Sequence, residues 1–159
     1  MGDWNFSVGE VNQVSVAFAS ADTKTSELGP TIGRLLGQVC VANKAQGVSM
    51  AGPPFCRYTD WRDTDCTVDV GAPISGEFIE ADGVKPGMLG GPGLHLCFSF
   101  YGAYEKLHGA YGDADVWMAA NGYTWAGAPW DSYITDPLVE PDPSKWQTDI
   151  FAPIRKIQP

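Results

Sequence analysis

One seven-residue string occurs twice in this chain, and it constrains the fold more than any other feature. Val68-Asp69-Val70-Gly71-Ala72-Pro73-Ile74 returns as Thr148-Asp149-Ile150-Phe151-Ala152-Pro153-Ile154, with Asp, Ala, Pro and Ile in matching positions 80 residues apart. Self-similarity at a fixed spacing marks a duplicated supersecondary unit. The match extends upstream: Gly47 precedes Pro54-Phe55-Cys56-Arg57-Tyr58 as Gly122 precedes Pro129-Trp130-Asp131-Ser132-Tyr133, each pair 75 residues apart. Additional residues in one hairpin loop explain the change from 75 to 80. Two copies facing each other would create a cleft, so the repeat bears on function.

Each half reads the same way in secondary structure. Val14, Val16 and Phe18 alternate with Ser15 and Ala17, the period-two pattern of a half-buried strand. Ile32, Leu35, Leu36 and Val39 then form one apolar helical stripe, starting near Gly29-Pro30 and stopping at a left-handed Gly47. Strands are expected at about 54–61 and 67–74. In the second half Leu94, Leu96, Phe98 and Phe100 alternate with His95, Cys97, Ser99 and Tyr101. Tyr104, Leu107, Tyr111, Ala114 and Met118 mark a helix ended by Asn121-Gly122, and strands follow at about 128–135 and 146–153. The glycine- and proline-rich residues 82–93 read as an irregular linker. The expectation is a single α+β domain over residues 1–159, with module one at about 8–81, that linker, and module two at about 94–159.

Composition narrows the classes of function. With 159 residues and 44% hydrophobic content the chain can bury a core, whereas either half alone would be marginal. The net charge of -9 opposes direct nucleic-acid binding, which depends on neutralising phosphates. Without an 18-residue apolar run or a basic segment leading into an apolar one, neither membrane insertion nor secretion is signalled, and a cytoplasmic location is expected. Cys40, Cys56, Cys66 and Cys97 form no C-x-x-C pair and are read as free thiols. No metal site and no cofactor are expected.

The string Trp130-Asp131-Ser132-Tyr133-Ile134-Thr135-Asp136-Pro137, followed by Pro141-Asp142-Pro143-Ser144-Lys145-Trp146-Gln147-Thr148-Asp149-Ile150 and Ala152-Pro153-Ile154, resembles the C-terminal signature of GyrI-like small-molecule-binding domains. Tyr101-Gly102-Ala103-Tyr104-Glu105 and Asn121-Gly122-Tyr123 stand where that family has its strand-to-helix turn and helix end. The resemblance covers essentially the whole chain. It implies two βαββ modules related by a pseudo-two-fold axis, with antiparallel sheets forming a central hydrophobic ligand cleft. Relatives of this kind include a DNA gyrase inhibitor, effector-binding domains of multidrug-responsive transcription activators, and hydrolases of cyclopropane-bearing DNA-alkylating natural products.

In that family a Glu-x-Tyr pattern projects into the cleft, and the matching pair here is Asp131 and Tyr133. Residues two apart on a strand share a face, so Asp131 follows Tyr133, and their mates 75 residues earlier are Cys56 and Tyr58. Val68, Val70, Thr148 and Ile150 should line the floor by the same rule. Trp130 and Tyr101 complete the expected ligand contacts, giving a mainly apolar site with few polar anchors. Aspartate in place of glutamate draws the charge roughly 1.5 Å toward the backbone. Asp131 is expected to pair with a ligand cation or to act as a general base, while Tyr58 and Tyr133 stack on a planar ligand.

The leading reading is binding of hydrophobic, planar, including cationic, small molecules, for sequestration or sensing of a drug or toxin. A cofactor-free hydrolase opening cyclopropane rings, with Asp131 and Tyr133 catalytic, is the alternative. A topoisomerase-inhibiting contact with a protein partner is the third. Gly47-Val48-Ser49-Met50-Ala51 runs from helix to strand and so is no nucleophile elbow. Asp60, Asp63 and Asp65 read as a solvated turn rather than a calcium loop.

Overall fold

The computed structural model describes residues 4–158. The chain divides into two compact units, residues 12–91 and residues 1–11 with 92–159. The first unit contains most of β1 (Ser7–Lys24), then α1 (Leu28–Ala45), β2 (Ser49–Met50), β3 (Phe55–Trp61) and β4 (Asp65–Ser75). β5 (Lys85–Tyr101) leaves this unit at Gly91 and enters the second, followed by α2 (Leu107–Asn121), β6 (Tyr123–Trp125), β7 (Trp130–Tyr133) and β8 (Gln147–Lys156). The fold is mixed α and β, with antiparallel pairing and two helices.

Within each unit the pairing is the same. β4 lies between β1 and β3, and β8 lies between β5 and β7, in antiparallel register throughout. The short strands β2 and β6, which alternation does not predict, pair with β4 at Met50 opposite Ile74 and with β8 at Trp125 opposite Ile154. Cys56 opposes Val70 as Asp131 opposes Ile150, and Tyr58 opposes Val68 as Tyr133 opposes Thr148. The offsets of 75 and 80 read from the sequence are therefore strand-register positions.

Both helices stop where glycine permits it. Gly47 has φ of 66°, with Val48 N–H donating to Asn43 O and Gly47 N–H to Lys44 O, the paired bonds of a Schellman end. Gly122 caps α2 at φ 81°. The buried stripe of α1 is Thr31, Leu35, Val39, Ala42 and Asn43, so Ile32 and Leu36 sit at its margin rather than its centre. In the second unit Leu107, Ala110, Ala114 and Met118 of α2 pack on Leu96, Phe98, Phe100, Ile150, Ala152 and Ile154 of the sheet.

The expected irregular linker at 82–93 is corrected: from Lys85 onward it is strand. Its glycines make room for neighbours. A Cβ at Gly87 would come within 2.7 Å of the Phe18 ring, so the ring occupies space that any side chain would need. Arg57 lies over the same Phe18 ring at 5.5 Å and donates to Met88 O at 3.0 Å, fastening β5 from a second side.

Candidate functional site

Alternation along β7 puts Asp131 and Tyr133 on one face, and register extends that face across the sheet of the second unit. Asp131, Ile150 and Phe98 form one cross-strand row, and Tyr133, Thr148 and Phe100 form the next. This is the face that α2 covers. Asp131 is completely buried, a position that strongly disfavours a carboxylate unless polar partners compensate. From α2, Tyr111 Oη donates to Asp131 Oδ1 at 2.6 Å, while Tyr133 Oη approaches Oδ2 at 3.5 Å, the outer limit of a hydrogen bond.

Aromatic rings adjoin this pair. Tyr104 meets Tyr133 edge to face at 5.3 Å and lies 5.0 Å from Trp146. Trp146 is held in turn by its indole N–H, which donates to Glu140 O at 2.7 Å. Burial, and secondarily the negative charge of Asp136, pushes the Tyr104 phenol above its usual range, keeping it neutral. Thr148 is also completely buried, and its Oγ1 has no hydrogen-bond partner among the described residues. Together these residues give a carboxylate, an unpaired hydroxyl and three half-buried tyrosines, Tyr104, Tyr111 and Tyr133.

The expected contacts fall on both faces of the second unit's sheet and in the first unit. Asp131, Tyr133 and Ile150 come together on the helix-covered face, with Thr148. Trp130 opposes Phe151 and Tyr101 opposes Gln147, which puts both on the other face of that sheet by alternation. Trp130 stacks on Phe151 at 5.3 Å and touches His95, whereas Tyr101 is exposed. His95 is buried there, with Nδ1 3.1 Å from Gly93 O. Cys56, Tyr58, Val68 and Val70 belong to the first unit, where Cys56, Val68 and Val70 are wholly buried and Tyr58 meets Trp61 edge-on at 5.5 Å.

At matching register positions the first unit therefore carries Cys56 and Val68 where the second carries Asp131 and Thr148. Tyr111 is the residue that sequence reading counted as plain helix stripe. Its signal was a hydroxyl on an otherwise apolar face, since a buried tyrosine O–H usually needs a partner.

Other polar groups brace the strands and turns. Arg62 bridges Asp60 at 2.5 Å and Asp65 at 2.9 Å, which closes the β3–β4 turn and holds the Asp65 carboxyl below its usual range. Arg57 binds Asp69 at 3.0 Å, and Ser20 donates to the same carboxylate. Burial raises the Cys66 and Cys97 thiols, which disfavours the nucleophilic thiolate. Among the described residues no group of three or more His, Cys, Asp or Glu could hold a metal ion, and no helix is long and apolar enough to cross a membrane.

Comparison with solved structures identifies shared folds. The EcmrR C-terminal domain is 22% identical over 96% of this chain and 98% of that one, with a TM-score of 0.78. In the EcmrR–DNA complex the likeness has the same TM-score at 21% identity, and this chain spans 57% of the longer EcmrR chain. SAV2435 bound to tetraphenylphosphonium is 9% identical over 94% of this chain and 93% of that one, with a TM-score of 0.66. A hydrolase from Listeria innocua is 12% identical over 94% and 91%, with a TM-score of 0.61. No match is found among curated proteins. The family model for the GyrI-like small molecule binding domain matches residues 5–155, and the chain belongs to that family.

Proposed function

We propose that this domain binds hydrophobic, planar, cationic small molecules, with Asp131 as the charged anchor and Tyr133, Tyr104 and Trp146 as the aromatic surroundings. The observation that carries this reading is the fully buried Asp131 carboxylate, set among aromatic rings and oriented by Tyr111 and Tyr133. A desolvated carboxylate attracts an organic cation far more strongly than an exposed one does. Family membership supports the small-molecule part of the reading, and the likeness to SAV2435 bound to tetraphenylphosphonium supports the cationic part.

The shared connectivity of the two units supports their descent from one duplicated βαββ module. On that reading Cys56 and Val68 mark the copy without the charged anchor. Binding is favoured over hydrolysis because Asp131 is completely buried, whereas a general base needs an oxygen facing water. Bound ligand would be sequestered, or sensed through a partner as an effector.

Titration with ethidium and with tetraphenylphosphonium, followed by calorimetry, tests the reading. Asp131→Asn is expected to weaken both by about tenfold or more, the scale of losing a buried charge partner. Unchanged affinity for both cations would remove Asp131 from the site.

A further inference from the structure

Thr148 has a hydroxyl that its packing does not require. At the matching register position of the first unit, opposite Tyr58, the residue is Val68, equally buried and the same shape without the oxygen. A buried hydroxyl without a partner is destabilising, and native proteins satisfy nearly all such groups. Thr148 stands opposite Tyr133, one step along β8 from the Ile150 that opposes Asp131. Diagonal neighbours of this kind lie roughly 7–8 Å apart at Cα, with side chains from the same face converging. Thr148 and Asp131 are thus diagonal neighbours on the face beneath α2.

Resting on the cation-binding reading above, we infer that Thr148 is the second polar contact of the ligand. The site's preferred ligands are then aromatic amines with N–H donors, rather than fully alkylated onium ions. Asp131 Oδ1 accepts from Tyr111 Oη, and a carboxylate oxygen can accept more than one hydrogen bond. A protonated amine can give one N–H to the Asp131 carboxylate and a second to Thr148 Oγ1. A quaternary cation brings charge but no donor. It would leave Thr148 still unpaired, and a buried polar group left unpaired on binding is the strongest source of discrimination between near-isosteric ligands.

The test uses 1-naphthylmethylamine, protonated at pH 7, and its N,N,N-trimethylammonium counterpart, titrated into the wild type, Thr148→Val and Asp131→Asn. Circular dichroism establishes that each variant is folded. The wild type should favour the amine, Thr148→Val should weaken the amine alone by about 5–10-fold, and Asp131→Asn should weaken both probes. If Thr148→Val leaves the amine unchanged, or lowers both probes equally, while Asp131→Asn still weakens both, the donor preference is overturned and the cation site survives. Should neither probe bind, or Asp131→Asn move neither, the parent reading fails and this inference fails with it.

Discussion

Asp131 is held by two phenols of unequal reach, and the inequality is measurable. The Tyr111 contact at 2.6 Å is a short hydrogen bond, whereas the Tyr133 contact at 3.5 Å is marginal. Tyr111→Phe should therefore lower unfolding free energy by about 1.5–3 kcal/mol, because a buried carboxylate oxygen loses its donor, and Tyr133→Phe by less than about 1 kcal/mol. Urea denaturation of the two variants checks the order, and an equal loss would contradict the geometry. Asp131 and Tyr133 were legible in the sequence as a Glu-x-Tyr-like pair on a strand. Tyr111 was not, because a helix stripe shows which face is buried but not which sheet residue it meets. The missing partner of Thr148 was illegible for the same reason: satisfaction of a hydroxyl depends on every neighbour.

The two β-hairpin connections show how loop length shapes a site. Between Tyr58 and Val68 the short turn is closed by Arg62 between Asp60 and Asp65. Between Tyr133 and Thr148 the chain is five residues longer by the 75 and 80 offsets, and it builds a 3-10 turn at Pro143–Lys145 that leads into Trp146. Asp142 starts that turn, its Oδ1 accepting from Ser144 N–H at 3.0 Å and Ser144 Oγ at 2.8 Å. These bonds hold its carboxyl below the usual range. A depressed folded-state value stabilises the turn at pH above the unfolded carboxyl pKa, and the stabilisation is lost as pH falls through the lower folded value. Exchange of the Trp146 indole proton should thus rise only on acidification below about pH 4, with Asp142→Asn removing this step. A rise already complete near pH 6 would show that another group controls the loop. Helix ends were readable at this scale through Gly47 and Gly122. The strand at 85–93 was hidden because glycine signals flexibility in sequence, yet Gly87 serves here to admit the Phe18 ring.

Over the whole chain the net charge of -9 sets a field that draws cations toward the protein at low salt. Stopped-flow association of ethidium should slow several-fold as ionic strength rises from about 10 to 150 mM, since the Debye length shrinks from about 30 to 8 Å. Dissociation, governed by the buried Asp131 contact, should change little; a salt-insensitive association rate would show that the field plays no part in capture. At this scale the chain's own order of residues was enough for the two helices, the longer strands apart from residues 85–93, the register offsets and the family, because periodicity and glycine stops act over a few residues. It was also enough for the pairing of Asp131 with Tyr133, since alternation along one strand is local. Tertiary packing alone decided that α2 delivers Tyr111 to Asp131, that Tyr101 takes the other face from Asp131, and that Thr148 is buried without a hydrogen-bond partner among the described residues. Those outcomes depend on how separate elements meet, and a contact between residues distant along the chain is set by the register and packing of both elements at once.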